Sequence, residues 1–121
     1  MGNVNRRQKA MMRLMLDEVD RLYHIVNDLL DISRMEAGKT TFCKALFNLS
    51  DLARRHTQGS MCLLSKKRIV LRLLLPPDPV VVFADSVKIA QVLTNLISNA
   101  YKFTPTGGRI LVQVQKSLSE V

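Results

Sequence analysis

The apolar residues near the start of the chain recur at the spacing of one long helix. From about Arg6 to Glu36 there is neither proline nor glycine, and apolar side chains return at alternating steps of three and four. They are Met12, Met15, Val19, Leu22, Val26 and Leu29. The pattern predicts an amphipathic helix, about 45 Å long, with a narrow apolar seam. Because a small domain following it would be too short to cover it, we expect this helix to need a partner helix.

The long helix is expected to end at the run Glu36-Ala37-Gly38-Lys39. Glycine adopts the left-handed turn beyond a helix at little cost, and lysine suits the negative end of the helix dipole. Short apolar segments separated by turn residues follow this run. The change predicts a domain boundary near residues 38–44.

The rest of the chain predicts short strands that alternate with two helices, which together indicate an α+β fold. The expected strands are Ala45–Leu49, Arg68–Leu75, Val80–Phe83 and Arg109–Gln115. Ser50 is expected to cap the first helix, which carries Gly59 in its middle, and Asp85 the second, which ends near Phe103. The apolar residues expected on the first helix are Leu52, Ala53, Met61 and Leu63. Pro76-Pro77-Asp78-Pro79 and Gly107-Gly108 supply the turns.

The helix predicted over 85–103 has two distinct faces. Its buried stripe is expected to consist of Ile89, Val92, Leu93, Leu96, Ile97 and Ala100. Asn95, Asn99 and Lys102 fall together on another face, at spacings of four and three. An asparagine carboxamide oxygen suits Mg²⁺, which retains waters and nucleotide phosphates as further ligands, and a lysine suits a phosphate. Periodicity alone favours the plainer interpretation, in which these side chains form the solvated side of an amphipathic helix.

Composition and charge narrow the classes of function. The 121 residues are 47% hydrophobic and carry a formal charge of +8, which suits an anionic partner. The basic residues are dispersed and only six aromatic residues are available for base stacking, so a nucleic-acid binder is disfavoured. The longest apolar runs, such as Val80 to Ala84, are too short to span a bilayer, which predicts a cytoplasmic segment. Cys43 and Cys62 have neither zinc-site nor disulfide-scaffold spacing.

The segment DSVKIAQVLTNLISNAYKFTPTGG at residues 85–108 resembles the N box of sensor histidine kinases, D-x-x-[RK]-[LI]-x-Q-V-L-x-N-L-x-x-N-A-x-K-F-T. The matching residues are Asp85, Lys88, Ile89, Gln91, Val92, Leu93, Asn95, Leu96, Asn99, Ala100, Lys102, Phe103 and Thr104. The resemblance implies ATP and Mg²⁺ as cofactors, with Asn99 as the metal ligand. It further implies that Asn95 supports the phosphates and metal, that Lys102 binds a phosphate, and that Phe103 lines the nucleotide pocket. Two positions depart from the pattern: Lys88 replaces a common Arg, and Ala84 a common Gly.

A second segment, YHIVNDLLDISRMEAGK at 23–39, resembles the end of the second helix in the family's dimerisation and phosphotransfer domain. Together the two resemblances imply a long dimerisation-type helix followed by a partial α/β sandwich of the histidine kinase, Hsp90 and gyrase ATPase type. Residues 1–38 would be that helix, 39–44 the linker, and 45–121 the N-terminal half of the ATP-binding domain. The implied partners are a second kinase chain, bound through the helix 6–36, and a response regulator for the parent protein.

The parent kinase is expected to be membrane-anchored, to phosphorylate itself on a histidine and to pass the phosphate to the regulator. Its family uses a histidine in H-[ED]-x-[RK]-x-P and a downstream D-x-G-x-G, and neither motif occurs before Val121. His24 and His56 are expected to lack the acidic neighbour that orients a nucleophilic imidazole. The sequence therefore predicts a fragment that alone neither binds ATP tightly nor autophosphorylates. The alternative is a non-catalytic interaction module, whose helix from Arg6 to Met35 pairs with intact kinases.

Overall fold

The computed structural model describes residues 3–117, which contain three helices and four strands. In chain order they are α1 (Arg6–Glu36), β1 (Ala45–Asn48), α2 (Leu49–Ser65), β2 (Val70–Leu74), β3 (Val81–Ala84), α3 (Ser86–Phe103) and β4 (Arg109–Gln113). The chain divides into two compact units, one up to Thr41 and one from Phe42 onward. The predicted mixture of helices and strands is confirmed.

Local signals define both ends of α1. The side-chain oxygen of Asn5 accepts a hydrogen bond from the backbone N–H of Gln8 at 2.8 Å, and the Gln8 side chain accepts one from the backbone N–H of Asn5 at 3.1 Å. This reciprocal pair is a capping box. At the other end Gly38 has a φ of 66°, and the N–H groups of Gly38 and Lys39 donate to carbonyl oxygens of the last turn at 3.1 and 2.9 Å. The predicted span and glycine stop are both confirmed.

The 31 residues of α1 include no buried side chain. All six residues of the predicted apolar seam lie on α1. Each of them is exposed, with an exposed fraction between 46% for Val26 and 64% for Val19. The hydrogen bonds and ion pairs seen along it join residues three or four positions apart. Nothing within the unit that ends at Thr41 therefore covers the apolar side of this helix.

The second unit contains two small sheets. Strands β1 and β3 pair antiparallel with Leu46 opposite Phe83, and strands β2 and β4 pair in parallel with Leu71 opposite Ile110. Helix α2 packs against α3, β2 and β3. The connection between the parallel strands therefore passes through β3 and α3, which brings the end of α3 beside the start of β4.

The core of this unit lies between α2 and the parallel pair of strands. Leu64 of α2 is 1% exposed and clusters with Ile69 and Leu71. The partly buried residues that pack against this cluster are Leu73, Tyr101, Ile110 and Val112. Because Tyr101 belongs to α3, the core anchors the C-terminal end of that helix.

Two expectations about the second unit were wrong. Helix α2 is capped by Asn48, whose side chain accepts from the Asp51 N–H at 3.2 Å, so Ser50 lies buried in the first turn instead of capping it. Strand β2 begins two residues later than expected, because Arg68 takes a left-handed turn with a φ of 54°.

Candidate functional site

The carboxylate of Asp85 caps the start of α3 and also accepts a hydrogen bond from a second segment of the chain. One oxygen of Asp85 accepts from the N–H groups of Val87 and Lys88 at 3.1 and 3.3 Å, which confirms the predicted cap. The other oxygen accepts from the N–H of Cys43 at 3.0 Å. This last hydrogen bond is the largest cause that lowers the pKa of Asp85 below its ordinary value, partial burial opposes it, and the contacts with Lys88 and Val87 add to the lowering. Asp85 thus ties the segment before β1 to the start of α3.

The polar residues singled out on α3 share one exposed face. Asn95, Asn99 and Lys102 are all exposed, at the predicted spacings of four and three. Phe103, the last residue of the helix, is 85% exposed. The structure therefore presents the four candidate residues to solvent at the C-terminal half of α3.

The apolar stripe predicted for α3 is wrong at two positions. Ile97 is buried, whereas Val92 and Leu96 are 54% and 60% exposed. The reason is that packing against the rest of the unit covers only the side of α3 that carries the buried Ile97 and the partly buried Tyr101. Val92 and Leu96 lie beside the asparagines instead, so the exposed face offers apolar surface next to polar groups.

The C-terminal end of α3 is held by a lysine from the turn after α2. The ammonium of Lys67 lies 2.7 Å from the carbonyl oxygen of Tyr101, 3.4 Å from that of Thr104 and 3.5 Å from that of Lys102. It also lies 4.6 Å from the centre of the Tyr101 ring. The chain then turns, with Gly107 at a φ of 82° and its N–H donating to the carbonyl of Lys67 at 2.8 Å.

The polar side chains on α3 suit a metal ion that takes most of its ligands from water and a bound molecule. They do not suit a metal ion that is coordinated by the protein alone. Among residues 3–117, no three His, Cys, Asp or Glu side chains lie close enough to hold a metal ion together. Asn99 offers one neutral, exposed carboxamide oxygen, with Lys102 one turn away. Mg²⁺ accepts such a site, because it keeps several waters and takes phosphate oxygens for its remaining positions.

Known relatives of this chain are of one kind, although no protein-family model matches the sequence. The chain is 39% identical over 95 residues to hybrid signal transduction histidine kinase D of Dictyostelium discoideum, across 78% of this chain and 6% of that protein. Four further relatives named as histidine kinases are 30% to 34% identical over 104 to 115 residues. The chain belongs to the sensor histidine kinase family. It spans only 6% to 19% of the length of the curated relatives that it matches.

Solved histidine kinases share its fold. The histidine kinase AdeS of Acinetobacter baumannii superimposes with a TM-score of 0.80 and 25% identity, over 90% of this chain and 54% of that one. The histidine kinase ThkA, in a complex with the response regulator protein TrrA, superimposes with a TM-score of 0.75 over 98% of this chain and 34% of that one. At 23% identity the second match is evidence for the fold alone. These matches confirm the expected kinship with the dimerisation and ATPase region of the kinases.

The expectation that His24 lacks an acidic neighbour was wrong. Its Nε2 lies 3.6 Å from a carboxylate oxygen of Asp20, one turn earlier on α1, and its ring meets that of Tyr23 edge-on. Both side chains of the pair are about 70% exposed, so the carboxylate orients the imidazole only weakly. Spacing of four along a helix is the signal that could have revealed this pair.

Sequence reasoning missed Lys67 as a residue of this site. Its contacts with α3 join positions 34 to 37 apart, and no local pattern encodes a contact of that length. The basic run Lys66-Lys67-Arg68 does mark the end of α2, but nothing in the sequence distinguishes Lys67 from the two basic residues beside it. Asn5 with Gln8, and Asn48 with Asp51, follow capping spacings that the sequence did contain.

Proposed function

We propose that this chain contributes nucleotide-binding residues to a histidine kinase, and that the exposed face of α3 binds ATP with Mg²⁺. Asn99 would take the metal, Asn95 would support the metal and phosphates, Lys102 would bind a phosphate, and Phe103 would lie against the base or sugar. The observation that carries the proposal is that these four side chains are exposed together on the C-terminal half of one helix. Family membership supports the same assignment.

The chemistry of this face suits a phosphate-bound metal. A carboxamide oxygen is a neutral ligand that leaves the charge of Mg²⁺ available to the phosphates. The ammonium of Lys102 adds a point charge one turn away. Val92 and Leu96, exposed on the same side, offer apolar surface that an aromatic ring could cover.

Nucleotide titration tests this proposal directly. Because the chain alone is expected to bind nucleotide only weakly, a fluorescent ADP analogue is titrated into it at high concentration, with Mg²⁺ and again with a chelator. We expect Mg²⁺ to tighten binding, Asn99→Ala to remove that gain, and Lys102→Met to weaken binding with and without metal. Thr94→Ala is the matched control, because Thr94 is exposed on the same helix and outside the candidate set. Equal binding by Asn99→Ala and Thr94→Ala would refute the role of Asn99.

The same proposal assigns each part of the chain to a domain of the parent kinase. Residues 1–38 would be the second helix of a dimerisation and phosphotransfer domain, 39–44 the linker, and 45–121 the N-terminal half of the ATP-binding domain. The parent kinase would transfer the γ-phosphate of ATP to a histidine and then to an aspartate of a response regulator, on the cytoplasmic side of a membrane. None of the helices within residues 3–117 has the length and apolarity that crossing a bilayer requires.

The 121-residue polypeptide by itself would be inactive in autophosphorylation. Neither His24 nor His56 lies in the H-[ED]-x-[RK]-x-P setting. Incubation with labelled ATP and Mg²⁺ should leave no acid-labile phosphate on the chain. Labelled phosphate that disappears in His24→Gln would overturn this part of the proposal.

A second candidate function is a non-catalytic module that pairs with intact kinases. The uncovered seam of α1 favours it, because an apolar face of that length is normally buried by another helix. Co-purification with a full-length kinase should then be lost when Val19 and Leu22 are both changed to Asp. A matched change on the polar side, Arg13→Asp, should leave it intact.

A further inference from the structure

The last carbonyl groups of α3 require hydrogen-bond donors from outside the helix. The last carbonyl groups of a helix have no partner within the helix, and a left-handed glycine commonly supplies donors just beyond it. Here the residue after the helix is Thr104, in an extended conformation with φ −88° and ψ 127°. Its N–H reaches back to Ala100 at 2.9 Å, and the carbonyls that follow turn towards the loop after α2.

Lys67, in the turn after α2, supplies these donors. Its ammonium has three protons and faces three carbonyl oxygens, those of Tyr101, Lys102 and Thr104, at 2.7 to 3.5 Å. The positive charge sits at the negative end of the helix dipole and over the Tyr101 ring. Because the side chain of Lys67 is partly buried, these contacts are better shielded from water than a surface ion pair.

The backbone of the same residue holds the other side of the turn. The carbonyl of Lys67 accepts from the N–H of Gly107 at 2.8 Å. Three residues further along, the N–H of Val70 donates to the carbonyl of Gly108 at 3.1 Å. Residues 101–108 are therefore fixed to one short stretch at the end of α2. Lys102 and Phe103 lie inside this fixed segment.

We propose that Lys67 is a positioning residue for the nucleotide site: it holds the end of α3 so that Lys102 and Phe103 are presented in one orientation. The inference rests on the proposed nucleotide site for its consequence, and on the hydrogen bonds of Lys67 for its mechanism. Lys67 itself need not touch the nucleotide, since its ammonium is occupied by main-chain carbonyls of α3.

The mechanism is tested without a nucleotide. Lys67→Met keeps the length and apolar stem of the side chain and removes its charge and donors. Amide hydrogen exchange in residues 100–108 should become about tenfold faster in Lys67→Met, the change expected when a charged donor is lost from partly buried acceptors. Lys66→Met is the matched control, because Lys66 is the exposed neighbour in the same basic run, and its exchange should equal that of the parent chain. Equal exchange in the two variants would overturn the proposal.

The consequence for binding is tested with the fluorescent ADP analogue and Mg²⁺, well below the melting temperature of each variant. Lys67→Met should weaken binding about tenfold, Lys67→Arg should restore part of it, and Lys66→Met should change it little. In a Lys102→Met background the loss caused by Lys67→Met should shrink, because the residue acts through Lys102. A loss of the same size in both backgrounds would overturn this positioning role.

The two hypotheses fail in different ways. If the parent chain binds no nucleotide, the proposed function fails, and the hydrogen-exchange comparison still decides whether Lys67 orders residues 100–108. If the parent chain binds and Lys67→Met binds equally well while folded, the positioning role fails and the nucleotide site stands.

Discussion

The two units of this chain are stabilised in opposite ways. Helix α1 has well-formed caps and no buried side chain, whereas the unit from Phe42 onward buries a cluster centred on Leu64. Charge divides along the same line: residues 1–41 carry seven basic and six acidic residues, and residues 42–121 carry eleven and four. The exposed apolar seam of the first unit is therefore suited to an uncharged, apolar partner. The second unit has its own small core, and its net positive charge attracts anions.

This contrast shows which interactions stabilise each unit. An isolated helix gains little from propensity and caps alone, so α1 depends on whatever covers its seam. The second unit gains from apolar burial within its own fold. Substitutions of the same chemical kind should therefore have unequal effects in the two units.

The largest inequality is expected for leucine truncation. Leu64→Ala should lower the free energy of unfolding of the second unit by about 3 kcal/mol, because it leaves a cavity at a side chain that is 1% exposed. Leu22→Ala, at a position 60% exposed on α1, should leave that free energy within about 0.5 kcal/mol. Urea denaturation followed by tyrosine fluorescence in a Tyr23→Phe background reports on Tyr101 alone. Similar losses for the two variants would refute the claim that the two units are stabilised in opposite ways.

The second inequality concerns glycine. A Cβ at Gly108 would overlap the methyl group of Thr104 and lie 2.9 Å from the carbonyl oxygen of Pro105, so Gly108→Ala should cost about 2 kcal/mol. A Cβ at Gly38 meets nothing within 4 Å, and Gly38→Ala should cost only the left-handed strain, about 1 kcal/mol, felt as fraying of α1. Denaturation of the second unit should detect Gly108→Ala, and helical circular dichroism should detect Gly38→Ala. A fully stable Gly108→Ala would mean that the close approach at this turn is not required.

Sequence patterns predicted those features whose cause is local. The span of α1, its glycine stop and the Asp85 cap all follow from residues within four positions of one another. Val92 and Leu96 were misassigned because periodicity identifies an apolar face without saying how much of it a neighbour covers. Lys67 was missed because its partners lie at least 34 positions away and are backbone atoms, which carry no sequence signature. The candidate site residues came from family resemblance, since their spacing alone fits any solvated helix face.

A smaller effect is expected at Arg68, the non-glycine residue with a positive φ in the described part of the chain. A left-handed conformation strains any residue with a Cβ, so Arg68→Gly should raise the free energy of unfolding of the second unit by about 0.5 to 1 kcal/mol. Its melting temperature should rise by a few degrees. Arg72→Gly, in the middle of β2, should lower it and serves as the matched control. A lower melting temperature for Arg68→Gly would show that the arginine side chain outweighs the strain.

The smallest effect is expected from pH and should again separate the two units. Hydrogen bonds, first that from the Cys43 N–H, lower the pKa of Asp85 in the folded state, so its contribution to stability is complete above the ordinary carboxylate range, roughly pH 4. The contribution should fade as the pH drops through the lowered value, because protonation removes the charged acceptor. Asp85→Asn retains a capping oxygen without the titration, so the acid-range loss in the second unit should flatten in that variant. Asp17→Asn on α1 is the control and should leave the profile of the second unit unchanged. Identical profiles for Asp85→Asn and the parent chain would remove Asp85 as the link between residue 43 and α3.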